Sequence, residues 1–266
     1  MDNKTEEIVE KDSANDRFSE YMSIIRRLRR ECPWDKAQTH QSLRAHLIEE
    51  CYEAVDAITR NNLTDLKYEL GDILLHVALQ AVIAEEENAF TIDDVLTESL
   101  EKLVRRHTHV FGQTVVNGID DIKRNWENSK RSEGKISVLD GVPQGLPGLI
   151  RAYRLQEKAA AVGFDWNNKE GVWKKVEEEL HEFRKAERDG DAGATEREFG
   201  DLLFALVNYS RFAAVGPEFA LHLSIDKFIT RFRYVEEGLK RRGKHPEEST
   251  LEEMDELWNE AKTKPG

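Results

Sequence analysis

The chain is poor in most of the residues that constrain or staple a fold: 266 residues hold only two cysteines, six prolines and 16 glycines, and aromatics make up 8%. Two cysteines, Cys32 and Cys51, cannot frame a chain of this length, so they read as reduced thiols. Cys51 lies among apolar residues at helical spacing and reads as part of a core. No apolar run reaches the roughly 18 residues needed to cross a bilayer, which excludes a membrane span. The opening stretch MDNKTEEIVEKDSAND has no apolar segment of the signal-peptide kind and reads as a mobile tail of a cytoplasmic protein. Positive charge is in deficit as well. A formal net charge of −13 argues against a nucleic-acid partner, which needs a basic surface. A small polyanion remains admissible if divalent cations lie between it and the acids.

What is abundant is helix-forming. Charged residues reach 34%, with Glu, Lys, Leu, Arg and Ala dominant, and no convincing alternating strand occurs. Apolar periodicity predicts helices over 16–31, 41–60, 63–87, 92–110 and 118–132, then over 147–162, 168–189, 193–214, 217–241 and 250–263. Thr91 before Ile92-Asp93-Asp94-Val95 and Ser249 or Thr250 before Leu251 supply start signals. Between the two sets of helices, SEGK, DGVPQG and LPG read as a linker. The expected organisation is a tail at 1–16, a first repeat at 17–132, a linker at 133–149 and a second repeat at 150–266.

The case for a repeat rests on spacing. Glu49-Glu50-Cys51-Tyr52-Glu53 recurs as Glu178-Glu179-Leu180-His181-Glu182, and Glu69-Leu70-Gly71-Asp72 recurs as Glu198-Phe199-Gly200-Asp201. Both recurrences fall at one and the same offset along the chain, so the gap between the two motifs is identical in the two copies. Lys102 and Arg106 match Lys227 and Arg231 after a small length change, and Trp126 with Lys130 matches Trp258 with Lys262. Four motifs in one order, twice, indicate duplication.

At about 100° per residue, Leu43, Leu47, Cys51, Ala54, Val55 and Ile58 form one stripe, with Glu49, Glu50 and Glu53 beside it. On the next helix Leu66, Leu70, Ile73, Leu74, Val77 and Ala81 form the stripe, flanked by Glu69 and Asp72. A short turn near 61–64 makes these helices antiparallel neighbours, so packed stripes would gather five carboxylates at one seam. Like charges so close repel, and a multivalent cation relieves them. Carboxylates without a His/Cys set suit magnesium, manganese or calcium rather than zinc. The plainer reading, a solvated helix face, fits one such motif better than two at identical spacing. Lys227 and Arg231, one turn apart, could grip phosphate beside a metal, and Trp258 with Lys262 could add a stacking face and a cation. A surface pair and a tryptophan covering the end of a bundle are the plainer alternatives.

EExxE followed by ExxD, intact in both copies, resembles the signature of the MazG family of nucleoside triphosphate pyrophosphohydrolases. The block Cys32-Pro33-Trp34-Asp35-Lys36-Ala37-Gln38-Thr39-His40 and the segment Val162-Gly163-Phe164-Asp165-Trp166 resemble that family too. The resemblance implies an all-α fold of two tandem helical-bundle repeats, assembled as a homodimer. It also implies magnesium-dependent hydrolysis (manganese as an alternative) of nucleoside triphosphates to nucleoside monophosphate and pyrophosphate. It assigns the metal to Glu178, Glu179, Glu182, Glu198 and Asp201, and nucleotide contacts to Lys175, Lys227, Arg231, Trp258 and Lys262. Glu178, Glu179, Lys227 and Arg231 are the implied catalytic groups. Glu49, Glu50, Glu53, Glu69, Asp72, Lys102, Arg106, Trp126 and Lys130 are their counterparts in a second possible site. The copies part at one place: His46 stands where the second has Lys175, which points to the second copy as the working one.

Three other readings fit parts of the pattern. A di-iron carboxylate bundle needs Glu-x-x-His on two helices, and only Glu178-x-x-His181 supplies it. A helical scaffold without chemistry would explain the acids as surface. A narrower hydrolase preferring one (d)NTP would share every motif.

Overall fold

The computed structural model describes residues 3–118, 121–122, 125 and 137–264, and for 3–16 the backbone alone. Every regular element in it is helical. The order is α1 (Asn3–Glu31), α2 (Pro33–Ala37), α3 (Arg44–Thr59), α4 (Leu63–Glu86), α5 (Ile92–Arg106) and α6 (Thr108–Phe111). It resumes with α7 (Gly148–Ala160), α8 (Lys169–Asp189), α9 (Ala192–Phe212), α10 (Pro217–Arg241) and α11 (Leu251–Lys262), with a 3₁₀ turn at Pro246–Glu248. The chain divides into two compact units, Met1–Thr114 and Val115–Gly266. The helix expected over 118–132 falls largely outside the described residues, Trp126 and Lys130 included, as does 133–136 of the expected linker.

Local chemistry sets the helix ends. Asn62 caps α4 by accepting from the backbone N–H groups of Thr64 and Asp65, both at 3.2 Å. Thr91 and Asp94 close a reciprocal capping box on α5, as Thr250 and Glu253 do on α11. Asn168 caps α8 and Asp191 caps α9 through their side chains. α1 starts at Asn3, so helix runs through most of the stretch expected as a tail; its Glu- and Lys-rich composition favours helix. The helix expected over 92–110 breaks at His107, whose ring Nδ1 donates to the Leu103 carbonyl at 2.7 Å and whose backbone leaves helical geometry.

In the first unit the core joins Met22 and Ile25 of α1, Leu43 at the start of α3, Ile92 of α5, and Ala78, Leu79, Ala81, Val82 and Ile83 of α4. The buried face of α4 therefore differs from the expected stripe: Leu70, Leu74 and Val77 stay exposed within the unit. Cys51 is exposed too and not a core residue, because Ile48, Tyr52 and Ile58 around it are also uncovered. The tight seam of α3 uses small residues, Ala54 and Ala57, which let it approach α4 closely. In the second unit, Val235 and Leu239 of α10 pack on Leu257, with Tyr234, Met254 and Trp258 around them. A Cβ at Gly238 would lie 2.6 Å from the Leu257 side chain, so glycine is what lets α10 and α11 meet there.

The duplication extends to backbone geometry. The α3–α4 turn uses Asn61 in the left-handed region (φ 53°) and the α8–α9 turn uses Gly190 (φ 72°). These two positions are related by the same offset along the chain as the acidic motifs. Each is followed by the capping residue of the next helix, Asn62 or Asp191. The chain thus builds the same helical hairpin twice.

Candidate metal centre

Each hairpin lines up its acids as rungs between antiparallel helices. In the first unit, Glu53 faces Glu69 and shares a hydrogen bond with it, and Asp72 faces Glu50. Carboxylate oxygens of Glu50, Glu53 and Glu69 lie within 4.8 Å of one another. Burial, then Asp72, Glu53 and Glu49, push the Glu50 carboxyl above its ordinary range, with His46 opposing. Burial, then Glu53, Asp72 and Glu50, push Glu69 the same way. No lysine or arginine is among the charges acting on either group.

The next rung holds two histidines. His46 Nδ1 lies 3.6 Å from Glu49, and its ring meets Trp34 edge-on at 6.4 Å between centroids. His76, one turn beyond Asp72 on α4, is 8% exposed, and its Nδ1 has no hydrogen-bond partner among the described residues. Burial and His46 lower its pKa against the pull of Asp72, which keeps the ring neutral. The reading of the sequence missed His76; its place one helical turn from Asp72, on the same face, was the available signal. Trp34 is held in place by Arg29, whose guanidinium donates to the carbonyls of Asp35 (2.5 Å) and Gln38 (2.9 Å) and pairs with Glu86 at 2.9 Å.

In the second unit, oxygens of Glu178, Glu179 and Glu182 lie within 4.8 Å of one another, as do those of Glu179, Glu198 and Asp201. Glu179 belongs to both groups and is buried, so it is the hinge of the cluster. Lys175 reaches into it: Nζ is 2.8 Å from Glu178 Oε1 and 2.7 Å from Glu179 Oε1. Those two carboxylates hold the ammonium above the usual lysine range. At the matching third rung the second unit has Lys175 and buried Ala205 where the first has His46 and His76. The Val162–Trp166 segment is fixed by Arg211, which pairs with Asp165 at 2.6 Å and donates to Asn208 at 2.5 Å.

Of the remaining expected residues, Arg231 and Trp258 pack together. The Arg231 guanidinium lies 5.8 Å above the Trp258 ring, and Phe228 packs 5.3 Å from that ring. Lys262 donates to Asn259 at 2.8 Å, and Lys227 is exposed on α10. No hydrogen bond or ion pair joins Lys227, Arg231, Trp258 or Lys262 to the five acids among the described residues. Lys102 is exposed and Arg106 half-buried on α5, and neither acts on Glu50 or Glu69.

The donor set decides what such a site accepts. Each three-acid group offers oxygen alone, and crowded carboxylates favour a hard divalent cation that takes several of them at once. Among the described residues no metal-type group includes His or Cys, so neither a zinc centre nor the paired Glu/His ligands of a di-iron bundle is assembled.

The chain is similar to known proteins. A family model described as the MazG nucleotide pyrophosphohydrolase domain matches residues 38–111. Over 252 residues, 92% of this chain and 95% of the relative, the chain is 46% identical to the nucleoside triphosphate pyrophosphohydrolase/pyrophosphatase MazG of Thermotoga maritima. It is 39% identical over 250 residues, 91% of this chain and 95% of the relative, to the nucleoside triphosphate pyrophosphohydrolase of Escherichia coli K12. It is also 48% identical over 251 residues to the uncharacterized protein YabN of Bacillus subtilis, covering 92% of this chain but 51% of that protein.

Proposed function

Since the chain belongs to the MazG family of nucleotide pyrophosphohydrolases, we infer that it is a hydrolase that splits nucleoside triphosphates to nucleoside monophosphate and pyrophosphate. The family's chemistry needs a divalent metal, and we assign magnesium, with manganese as a working substitute, because the donors are all carboxylate oxygens. The observation that carries the reading is the second-unit cluster: two overlapping three-acid groups with a lysine paired to Glu178 and Glu179, in a chain colinear with a named pyrophosphohydrolase.

Glu178, Glu179, Glu182, Glu198 and Asp201 are the residues that would hold the cation. A divalent ion there supplies neutralisation of phosphate charge and a bound water of lowered pKa. The chain's own groups do the rest. Burial keeps Glu179 anchored while exposed Glu182 and Asp201 remain accessible to phosphate-bound metal. Lys175, Lys227 and Arg231 take charge from the phosphate oxygens, and the Trp258 face offers a stacking surface with Lys262 beside it on α11. The first-repeat set of Glu49, Glu50, Glu53, Glu69, Asp72, Lys102, Arg106, Trp126 and Lys130 is a second possible site, and we assign most turnover to the cluster of the second unit.

We further infer a homodimer. On α10, Phe219, Leu221, Leu223, Ile225, Phe228 and Ile229 are each 40–55% exposed within the chain. This helix also carries Lys227 and Arg231. Of the apolar residues, Leu221, Ile225, Phe228 and Ile229 fall on one side of the helix, and a second copy covering that side buries their exposed apolar area. Sedimentation at micromolar concentration is expected to give a species twice the chain mass; a 30.7 kDa species alone overturns the dimer. No helix among the described residues is long and apolar enough to cross a membrane. The reduced thiols and the acidic surface fit a cytoplasmic enzyme acting on free nucleotides.

The test is a panel of ribo- and deoxyribonucleoside triphosphates with products identified. Nucleoside monophosphate plus pyrophosphate, dependent on magnesium and abolished by chelator, is the expected result. Nucleoside diphosphate plus phosphate, or full turnover in chelator, overturns it. Turnover confined to one (d)NTP would select the narrower hydrolase, and no turnover of any would select the scaffold.

A further inference from the structure

We propose that Lys175 is an exchangeable internal counter-ion: it pairs with Glu178 and Glu179 until a divalent cation takes their oxygens, and the released ammonium then passes to substrate phosphate. The inference rests on the metal role given above to that cluster and deepens it by coupling metal loading to phosphate binding.

The geometry carries it. Nζ of Lys175 contacts one oxygen of Glu178 at 2.8 Å and one of Glu179 at 2.7 Å, and both acids belong to the metal-type groups. A magnesium ion on the same Glu179 oxygen would sit within about 5 Å of that ammonium, since metal–oxygen bonds run to about 2.1 Å. Two cations so close repel, so occupancy by one disfavours occupancy by the other. The partners differ in freedom. The Glu179 side chain is 9% exposed and the Lys175 side chain 37%, so the acid stays while the lysine can leave through its solvent side. Its position three and four residues before the two acids lets one flexible stem reach both, and a lysine head is a compact point charge suited to transfer between partners.

The exchange is of one cation for another, without a proton. A lysine ammonium of ordinary basicity is already charged throughout the neutral window. The first unit lacks the device. His46 stands in its place and lies 3.6 Å from Glu49. By this account a metal ion entering the first cluster displaces nothing, whereas one entering the second must displace Lys175.

The probe is manganese alone, titrated without nucleotide and followed by electron paramagnetic resonance. The full chain is used, carrying Glu50→Gln and Glu53→Gln to silence the first cluster. Lys175→Gln is expected to bind manganese about tenfold more tightly than this parent, the scale of one charge-assisted hydrogen bond no longer to be broken. Lys175→Arg, which keeps a cation on the acids, is expected to bind no more tightly than the parent. Lys174→Gln removes the same charge at the neighbouring exposed position and is expected to change affinity less than about twofold, as a solvated charge does. A second readout is the thermal midpoint in chelator, expected to fall in Lys175→Gln and to recover in saturating manganese. Equal or weaker manganese binding by Lys175→Gln overturns the proposal, as does an equal gain from Lys174→Gln. If the parent binds manganese and Glu179→Gln abolishes it, the metal reading stands whatever Lys175 does. If the parent binds none, the metal reading itself fails.

Discussion

Two hairpins, α3–α4 and α8–α9, present the same acids in the same order across the same turn, down to the left-handed residue and the cap that follows it. They balance the charge of those acids differently. In the second unit an ammonium lies 2.7 Å from the most buried carboxylate, and in the first the rung holds two histidines, one of them buried and neutral. The unneutralised first-unit acids are driven toward protonation, while the second-unit cluster is pre-paired with a cation that can be handed on. A duplicated scaffold can thus keep its metal-type donors and still divide labour by changing one rung. The family model matches 38–111, which lies in the first unit, so likeness of motif alone does not identify the working copy.

The sharpest way to break this comparison is to remove metal-type ligands one unit at a time. Glu179→Ala with Glu182→Ala is expected to lower kcat/KM by about three orders of magnitude or more, the scale lost with metal-based charge stabilisation. Glu50→Ala with Glu53→Ala is expected to stay within about twofold of the parent. Steady-state pyrophosphate release measures both. The reverse pattern would assign turnover to the first unit, and equal losses would make the two units equivalent.

Exchanging the third rung has a smaller effect. Lys175→His is expected to cost about 10- to 100-fold in kcat/KM near neutral pH, because a largely neutral imidazole replaces a charged hydrogen-bond donor to phosphate. Part of the loss should return on mild acidification as the imidazole gains its proton, and a pH profile parallel to the parent's would count against a phosphate role. The reciprocal change, His46→Lys, places an ammonium three and four residues before Glu49 and Glu50 and is expected to stabilise α3 by about 0.3–0.5 kcal/mol without metal. Denaturant titration in chelator reads that difference.

Much of this arrangement was legible before the structure, because it lives in sequence-local periodicity. The acids, the common offset that relates the two sets, the turn near 61–64, the cap at Thr91 and a cap at Ser249 or Thr250 all follow from spacing along single helices, and the structure selects Thr250. What spacing could not supply was tertiary choice. The expected stripe on α4 took in Leu70, Leu74 and Val77, yet α1 packs against Leu79, Val82 and Ile83, leaving the former exposed. Cys51 was misjudged for the same reason: an apolar neighbourhood in sequence is buried only if another element covers it. His76 escaped notice because a single histidine on an apolar helix carries no pattern of its own. Its spacing from Asp72 was visible along α4, but its place beside His46 emerges only when the antiparallel register is known. The packing of Arg231 on the Trp258 ring is equally invisible in a set of matching motifs.

The smallest effect concerns pH and distinguishes the units in the absence of metal. Glu50 and Glu69 have folded pKa values above their ordinary ones, so the folded first unit binds protons more readily than the unfolded chain. Linkage then makes their contribution unfavourable at neutral pH, and the penalty fades as pH falls toward the ordinary carboxylate range near about 4.3. His76 acts in the opposite sense. Its lowered pKa means that the unfolded state gains a proton first as pH falls below about 6.5, which costs stability. The raw pH dependence of the unit mixes these terms, so the informative quantity is a difference between variants. Glu50→Gln with Glu69→Gln removes the repulsion, retains hydrogen-bonding side chains opposite Glu53 and Asp72, and leaves His46 and His76 in place. Native-state hydrogen exchange across α3 and α4, in chelator at about pH 7 and about pH 5, isolates the local stability. Relative to this variant, the parent is expected to gain protection on acidification, and at about pH 7 magnesium should reproduce part of that gain in the parent alone. If parent and variant respond identically, the first-unit acids are not held under mutual repulsion, and the contrast between the two clusters loses its electrostatic basis.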